Sequence, residues 1–354
     1  MALRMKTARR LVMLMLAAML TAAMAACDFA SSDPKHSPAT PAPTGPIAVV
    51  ASLNQWASLA EQLGGKDVKV TAITPPATLD ARNFEPSSTD IATLQHADIV
   101  VANGAGYDDW VLKNRSRGSA VVSAAETVGA MDGDNPQLWL SKDARAGMAS
   151  ELTEAFSKAR PAKKKTFAAR LKTWHSEEGR LEAAFAAFAK SHGNPTYAAL
   201  DDSAFYLMSD LGFKDRTPQD YAQSALAQPE SPSPQSSPPD IKNYQKLLEG
   251  RQVDVLIGNG QKPDETASAL IASAKIGNVP FVEVPGQMPA DASSLVDWVK
   301  GLASPIIATA SADDESGAGS GGSEGAGKSQ STSPSDSGQS SSNSTPQDAS
   351  PPAQ

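Results

Sequence analysis

Cysteine is all but absent: Cys27 is the only one in 354 residues. No disulfide can close within the chain, and a zinc cage of several thiolates is excluded. Histidine is nearly as scarce, with four, at positions 36, 96, 175 and 192. Basic residues are in deficit, 31 against 39 acidic ones, for a formal charge of -8. That balance gives no broad cationic surface, so nucleic acid is not an expected partner. Nucleotide loops are missing too: Asn103-Gly-Ala-Gly and Gly258-Asn-Gly-Gln have neither the Gly-x-Gly-x-x-Gly spacing nor a Lys-Ser/Thr pair. With no cysteine nucleophile and no serine elbow, the chain does not read as an enzyme. Asp201-Asp202 resembles a catalytic carboxylate pair, but neighbours at a strand end point apart, and Asp202 is expected to cap the helix at Ser203 to Leu211.

Long apolar runs are limited to Leu11 to Ala26, behind Arg4, Lys6, Arg9 and Arg10. The run is shorter than the ~20 residues that span a bilayer. It reads as an export signal over 1–26, and the small residues Met24-Ala25-Ala26 before Cys27 resemble a bacterial lipobox, with Cys27 as the lipid attachment. The protein is therefore expected outside the cytoplasm, anchored to the membrane as a lipoprotein. Residues 27–46 form the tether, and 306–354, dominated by Ser, Gly and Pro, form a disordered tail.

Between these ends lies a patterned region. Pro161 to His192 reads as one helix, opened by proline and closed by Gly193-Asn194-Pro195. Phe167, Leu171, Trp174, Leu181, Phe185 and Phe188 recur in steps of three and four, interrupted at Glu178. A coiled coil is disfavoured, since the pattern breaks at Glu178-Gly179 and has no partner segment. The helix over 161–192 is instead a strut between two α/β lobes, 47–160 and 193–305. In the first, strands are expected at 47–52, 68–73, 97–102 and 120–123, with helices at 54–63, 87–95 and 144–159. In the second, strands at 196–200, 253–257 and 280–284 alternate with helices at 203–211, 217–225, 241–249, 264–275 and 292–302, and 228–240 is a Pro/Ser-rich surface loop. Such alternation predicts in each lobe a parallel four-stranded sheet flanked by helices. Ligands of open parallel sheets bind beyond the carboxyl ends of strands, which directs attention to the cleft between lobes.

Several stretches in this order, Asp80-Ala-Arg-Asn-Phe-Glu-Pro86, Asn103-Gly-Ala-Gly with Tyr107-Asp-Asp-Trp110, Asn135-Pro-Gln-Leu-Trp-Leu140 and the Asp-Trp of Leu295 to Val299, resemble the solute-binding lipoproteins of zinc and manganese ABC importers. The resemblance runs from Ile47 to Leu302. It implies two lobes on a rigid helix, an ABC permease as partner, a monomer, and zinc or manganese as cargo. It also implies four ligand positions. A histidine in Asp-Pro-His-x-(Phe/Tyr)-Glu falls on Arg82, and one in Pro-His-x-Trp falls on Gln137. A histidine or glutamate after the first strand of the second lobe falls on Asp201, and a carboxylate after the last strand falls on Gly286. Only Asp201 keeps ligand chemistry, because a guanidinium has no lone pair and Gly286 offers only backbone. Two cleft arrangements follow. Either Arg82 takes the place of the cation and pairs with Asp201, closing the lobes, or it clamps a small anion or chelated metal while Gln137, Asn259, Gln261 and Gln287 supply neutral hydrogen bonds. The alternative to transport is a surface lipoprotein that uses this scaffold for adhesion or partner binding.

Overall fold

A computed structural model describes residues 45–75, 80–226, 241–261 and 263–317. The expected signal, Cys27, most of the tether, the loop at 228–240 and the tail beyond 317 lie outside the described residues.

Strands β1 (Ile47–Ala51), β2 (Val68–Ala72), β3 (Ile99–Ala102) and β4 (Ala120–Ser123) form a four-stranded parallel sheet in the order β2-β1-β3-β4. Every residue of β3 is buried, as a central strand covered on both faces requires, whereas Lys69 and Thr71 on edge strand β2 face solvent. Helices α1 (Asn54–Gly64), α2 (Ser88–Gln95), α3 (Asp109–Asn114), α4 (Ala124–Val128) and α5 (Lys142–Ala159) flank it. Helix α2 opens with a capping box in which Ser87 and Asp90 bond each other's backbone N–H. The short helices α3 and α4 have too few turns to show a periodic stripe, and sequence reading passes over them.

A 3-10 turn at Pro161–Lys163 leads into α6 (Lys164–Ser191), ~42 Å of helix at ~1.5 Å per residue. The second lobe then repeats the first. Strands β5 (Thr196–Ala199), β6 (Lys214–Asp215), β7 (Val255–Gly258) and β8 (Phe281–Glu283) lie parallel in the order β6-β5-β7-β8. Around them stand α7 (Phe205–Asp210), α8 (Gln219–Leu226), α9 (Lys242–Glu249), α10 (Glu265–Ile276) and α11 (Leu295–Gly317). Strand β6 is two exposed residues, without the apolar run that marks its neighbours. Helix α11 differs from expectation: it continues through Pro305 to Gly317, well past the predicted end at 302 and into the segment assigned to the tail. Leu295, Val299, Leu302, Ile306 and Ala310, spaced by three and four, carry a buried stripe across the proline, and that burial offsets the lost backbone hydrogen bond.

One apolar core unites the two lobes through the rod, with Phe167, Trp174, Leu181, Phe185 and Phe188 of α6 buried in it and Leu171 packed at its edge. Glu178, which breaks this stripe, is 2% exposed and meets Arg145 of α5, which is wholly buried. Arg145 donates from Nε (3.0 Å) and Nη2 (2.5 Å) to Glu178 Oε1, and from Nη1 to the Trp139 carbonyl at 3.1 Å. At the N-terminal end of the rod, Asp67 holds Lys163 and Arg170, each at 3.1 Å. Burial works against the Asp67 charge, but bonds and fields from Lys163 and Arg170 prevail and hold its carboxyl below the usual range.

Removing one member of a buried ion pair leaves the other uncompensated, at about 3–5 kcal/mol. Arg145→Met is therefore expected to lower the urea-unfolding free energy by about that much. Arg145→Met with Glu178→Leu is expected to recover most of the loss, and a double variant as unstable as the single would show that the pair does not act as a unit.

Candidate functional site

Both sheets reverse strand order beside their first strand, between β1 and β3 and between β5 and β7, so two crevices open at the carboxyl ends and face each other. After β3 the chain turns sharply. Gly104 sits at φ +78°, and a Cβ there would lie 2.6 Å from that of Ala125. The buried Asp108 carboxylate accepts the N–H groups of Asn103 (2.6 Å) and Gly104 (2.8 Å), which fixes this turn and delivers Tyr107 to the cleft.

At the centre of the cleft the lobes meet through neutral groups, while elsewhere Lys142 of α5 pairs with Asp210 of α7 at 2.7 Å. Asn54 Nδ2 donates to the carbonyls of Met288 and Pro289, both at 3.1 Å, and Gln55 Nε2 donates to that of Gly286 at 3.1 Å. Gln287 Nε2 donates to the Tyr107 hydroxyl at 3.2 Å. On the other flank Asn135 Nδ2 donates to the Asp202 carbonyl at 2.9 Å, and the Tyr206 hydroxyl donates to the Asn135 carbonyl at 3.1 Å. Gln55, Gln137 and Gln287 are buried, and the side-chain oxygen of each accepts no hydrogen bond from the described residues. Burial pushes the Tyr107 hydroxyl up to about 12, with the Asp80 charge adding to it, while Arg82 works in the opposite sense.

The expected pairing of Arg82 with Asp201 is not what forms. Arg82 lies in a 3-10 turn at Ala81–Asn83, and its Nε contacts both oxygens of Asp80, at 3.1 and 3.0 Å. Asp80 also accepts the Arg82 backbone N–H at 2.9 Å, so the partner two residues away is pre-positioned by the turn itself. The guanidinium carbon stands 5.8 Å from the centre of the Tyr107 ring. Asp201 is engaged by backbone: Oδ1 accepts from Ser203 N at 2.9 Å and Oδ2 from Asn259 N at 2.8 Å. The second bond ties β5 to β7 across the reversal point. Asn259 accepts from Gln261 N at 3.3 Å, and Gln261 is exposed. The helix-capping role expected of Asp202 also fails. Helix α7 begins at Phe205 without a side-chain cap, and Asp202 contributes its carbonyl to the seam instead.

The four positions to which the resemblance assigns ligands thus hold an ion-paired guanidinium, a buried carboxamide, a backbone-bound carboxylate and a glycine whose carbonyl is taken by Gln55. This donor set does not fit a tetrahedral zinc ion. Among the described residues no group of three His, Cys, Asp or Glu could hold a metal. His96 ends α2, and His175 and His192 belong to the rod and its cap.

Beside the seam, on the β5/β6 side, lies a cavity of about 440 Å³. Gly133, Asp134 and Asn135 bound it from the first lobe, and the ends of β5 and β6 with α7 and α8 bound it from the second. Asp134, Asp201, Asp202 and Asp215 line it, together with Tyr197, Phe205, Tyr206 and Tyr221, and no Lys, Arg or His does among the described residues. Of the site residues expected from sequence, Asp201 alone lines it. Arg82, Gln137, Asn259, Gln261 and Gln287 do not. Asp134 and Asp215 had no motif to mark them, since one lies in a loop and the other on the two-residue strand.

Burial raises the Asp202 carboxyl above its ordinary value near 3.8, the Asp201 charge raises it further, Arg82 opposes and Asp80 reinforces. A raised carboxyl favours the fold while protonated, and that contribution is lost as pH climbs from 3.8 through the folded value. At pH 7 Asp202 therefore favours the fold less than an ordinary aspartate would. Asp202→Asn is expected to stabilise the protein in urea titrations at pH 7, with a smaller gain at pH 3.5. Equal gains at both pH values would contradict this account.

The curated relatives match short stretches, spanning 28% to 41% of their own lengths. Among them the manganese-binding lipoprotein MntA of Bacillus subtilis is 32% identical over 126 residues, 32% of this chain and 41% of that protein. Among solved structures, the Cd-bound periplasmic metal binding protein from candidatus liberibacter asiaticus aligns with a TM-score of 0.60 at 14% identity, covering 75% of this chain and 99% of that one. The laminin-binding adhesin Lmb of Streptococcus agalactiae aligns with a TM-score of 0.60 at 17% identity, over 74% and 99%. At these identities the structural likeness establishes the shared two-lobe fold. The family model of the periplasmic component A of zinc-uptake complexes matches residues 49–308, nearly the whole patterned region, and the chain belongs to that family.

Proposed function

We propose that this protein is an extracytoplasmic solute-binding lipoprotein that works with an ABC permease and acts by capture and release rather than catalysis. In this reading residues 1–26 direct export, Cys27 carries the lipid, and residues up to 46 lift the lobes off the membrane. The rod α6 keeps the lobes in fixed register, and the cleft between them holds the cargo.

Family membership over residues 49–308 supports the transport role, and the names of its relatives point to zinc or manganese as the ancestral cargo. The observation that carries the modified part of the reading is the seam itself. Neutral amides bring the lobes together where relatives would need a cation, and Arg82, Gln137 and Gly286 replace ligands. Neutral carboxamide and backbone oxygens bind zinc far more weakly than imidazole or carboxylate. Calorimetric titration of the purified protein with zinc or manganese is expected to give dissociation constants weaker than micromolar. A tighter value would overturn the altered-cleft reading. Capture of the permease by the lipidated protein tests the transport role. Failure to capture it would favour adhesion or partner binding on the same scaffold.

A further inference from the structure

We propose that the 440 Å³ cavity at the ends of β5 and β6 binds a small organic cation, an amine or guanidinium compound. This inference rests on the solute-binding reading and names the class of cargo.

The first support is size. The volume far exceeds the ~30 Å³ of a single water, and it falls within the range of small-molecule pockets, ~300–1,000 Å³. A bare ion would not fill it. Charge is the second: four aspartates line the cavity and no cationic side chain among the described residues does, so an anion would meet only repulsion. The nearby guanidinium of Arg82 is held by Asp80.

The bonding of these carboxylates then separates an organic cation from a metal. Asp201 accepts two backbone N–H groups, and Asp215 accepts Thr217 N at 2.8 Å and the Tyr197 hydroxyl at 3.2 Å. Asp134 accepts Met131 N at 2.8 Å. Asp202 alone makes no side-chain hydrogen bond to another described residue, and it is the partly buried charge that calls for a counterion. A carboxylate that no other described residue hydrogen-bonds suits an ammonium or guanidinium, which needs a directional acceptor or two, better than a metal that needs several converging donors.

Aromatic lining is the third support. The hydroxyls of Tyr206 and Tyr221 are bound to the carbonyls of Asn135 and Leu200, and that of Tyr197 to Asp215. Tyr197 and Tyr206 add ring surface to the lining, and a ring quadrupole attracts an organic cation. Burial, followed by the surrounding carboxylates, pushes the hydroxyl of Tyr221 up to about 12 and raises those of Tyr197 and Tyr206.

The test is calorimetry on the intact protein at pH 7.5 and low salt with putrescine, agmatine and choline, and with 1,4-butanediol as the uncharged analogue of putrescine. At least one cation is expected to bind with a submillimolar dissociation constant while butanediol shows no binding. Asp202→Asn is expected to weaken that cation at least tenfold, and Asp134→Asn, on the opposite wall, several-fold. Both are isosteric, and an unchanged unfolding midpoint or a higher one shows that they fold. The proposal is overturned if no cation binds better than butanediol, or if Asp202→Asn binds as well as the parent. Cation binding without permease capture would remove the transport role and leave this site standing, and capture without cation binding would do the reverse.

Discussion

A guanidinium and a carboxylate shut away from water hold the rod to the first lobe. Arg145 and Glu178 share their charge at the middle of α6, and the remaining arm of Arg145 reaches the Trp139 carbonyl, two residues from Gln137. The same contact therefore sets the position of the long helix and of the turn that brings one wall of the cleft into place. A hydrophobic residue at 178 would continue the stripe with less cost of desolvation, but without a directional bond to locate α5 along the rod. The aromatic residues on either side supply area, and the ion pair supplies register.

From that register follows the way the lobes meet. The two sheets have the same strand order, and their reversal points face one another with little lateral freedom. At the centre, side-chain amides from α1 and from the segment after β8 bridge the gap. On the flank, Asn135 and Asp202 join the lobes by backbone and amide, and the acidic, aromatic cavity opens next to them. The charge that sequence comparison would place at the centre is instead distributed to the side: Arg82 is retained by its own turn, and the carboxylates gather around the β5 and β6 ends.

Much of this architecture was legible in the residues. Apolar runs such as Ile99 to Ala102 announce central strands, and the stripe on α6 announces the strut, because burial on one face or both imposes a period that composition alone can show. The short helices at Asp109–Asn114 and Ala124–Val128, and the two-residue β6, left no period to detect. The last helix was expected to end at 302, yet Ile306 and Ala310 keep it buried beyond Pro305. At the site, positional matching located the loops but not the bonds within them. Arg82 and Asp201 are each closer to a local partner than to one another, and a turn that offers an N–H or a carboxylate two residues away competes better than a group across a cleft. Asp202 was misassigned because the helix expected from Ser203 begins at Phe205, which puts Ala204 and not Asp202 at the cap position.

The neutrality of the central seam reaches beyond the cleft. Amide-to-carbonyl bonds neither take up protons in the ordinary range nor weaken when dissolved ions screen charge, and Tyr107, the one ionisable group among them, keeps its proton up to about 12. A member of a periplasmic family faces whatever acidity and salt the space beyond the cytoplasm imposes, and the centre of this joint is built from groups that do not register either.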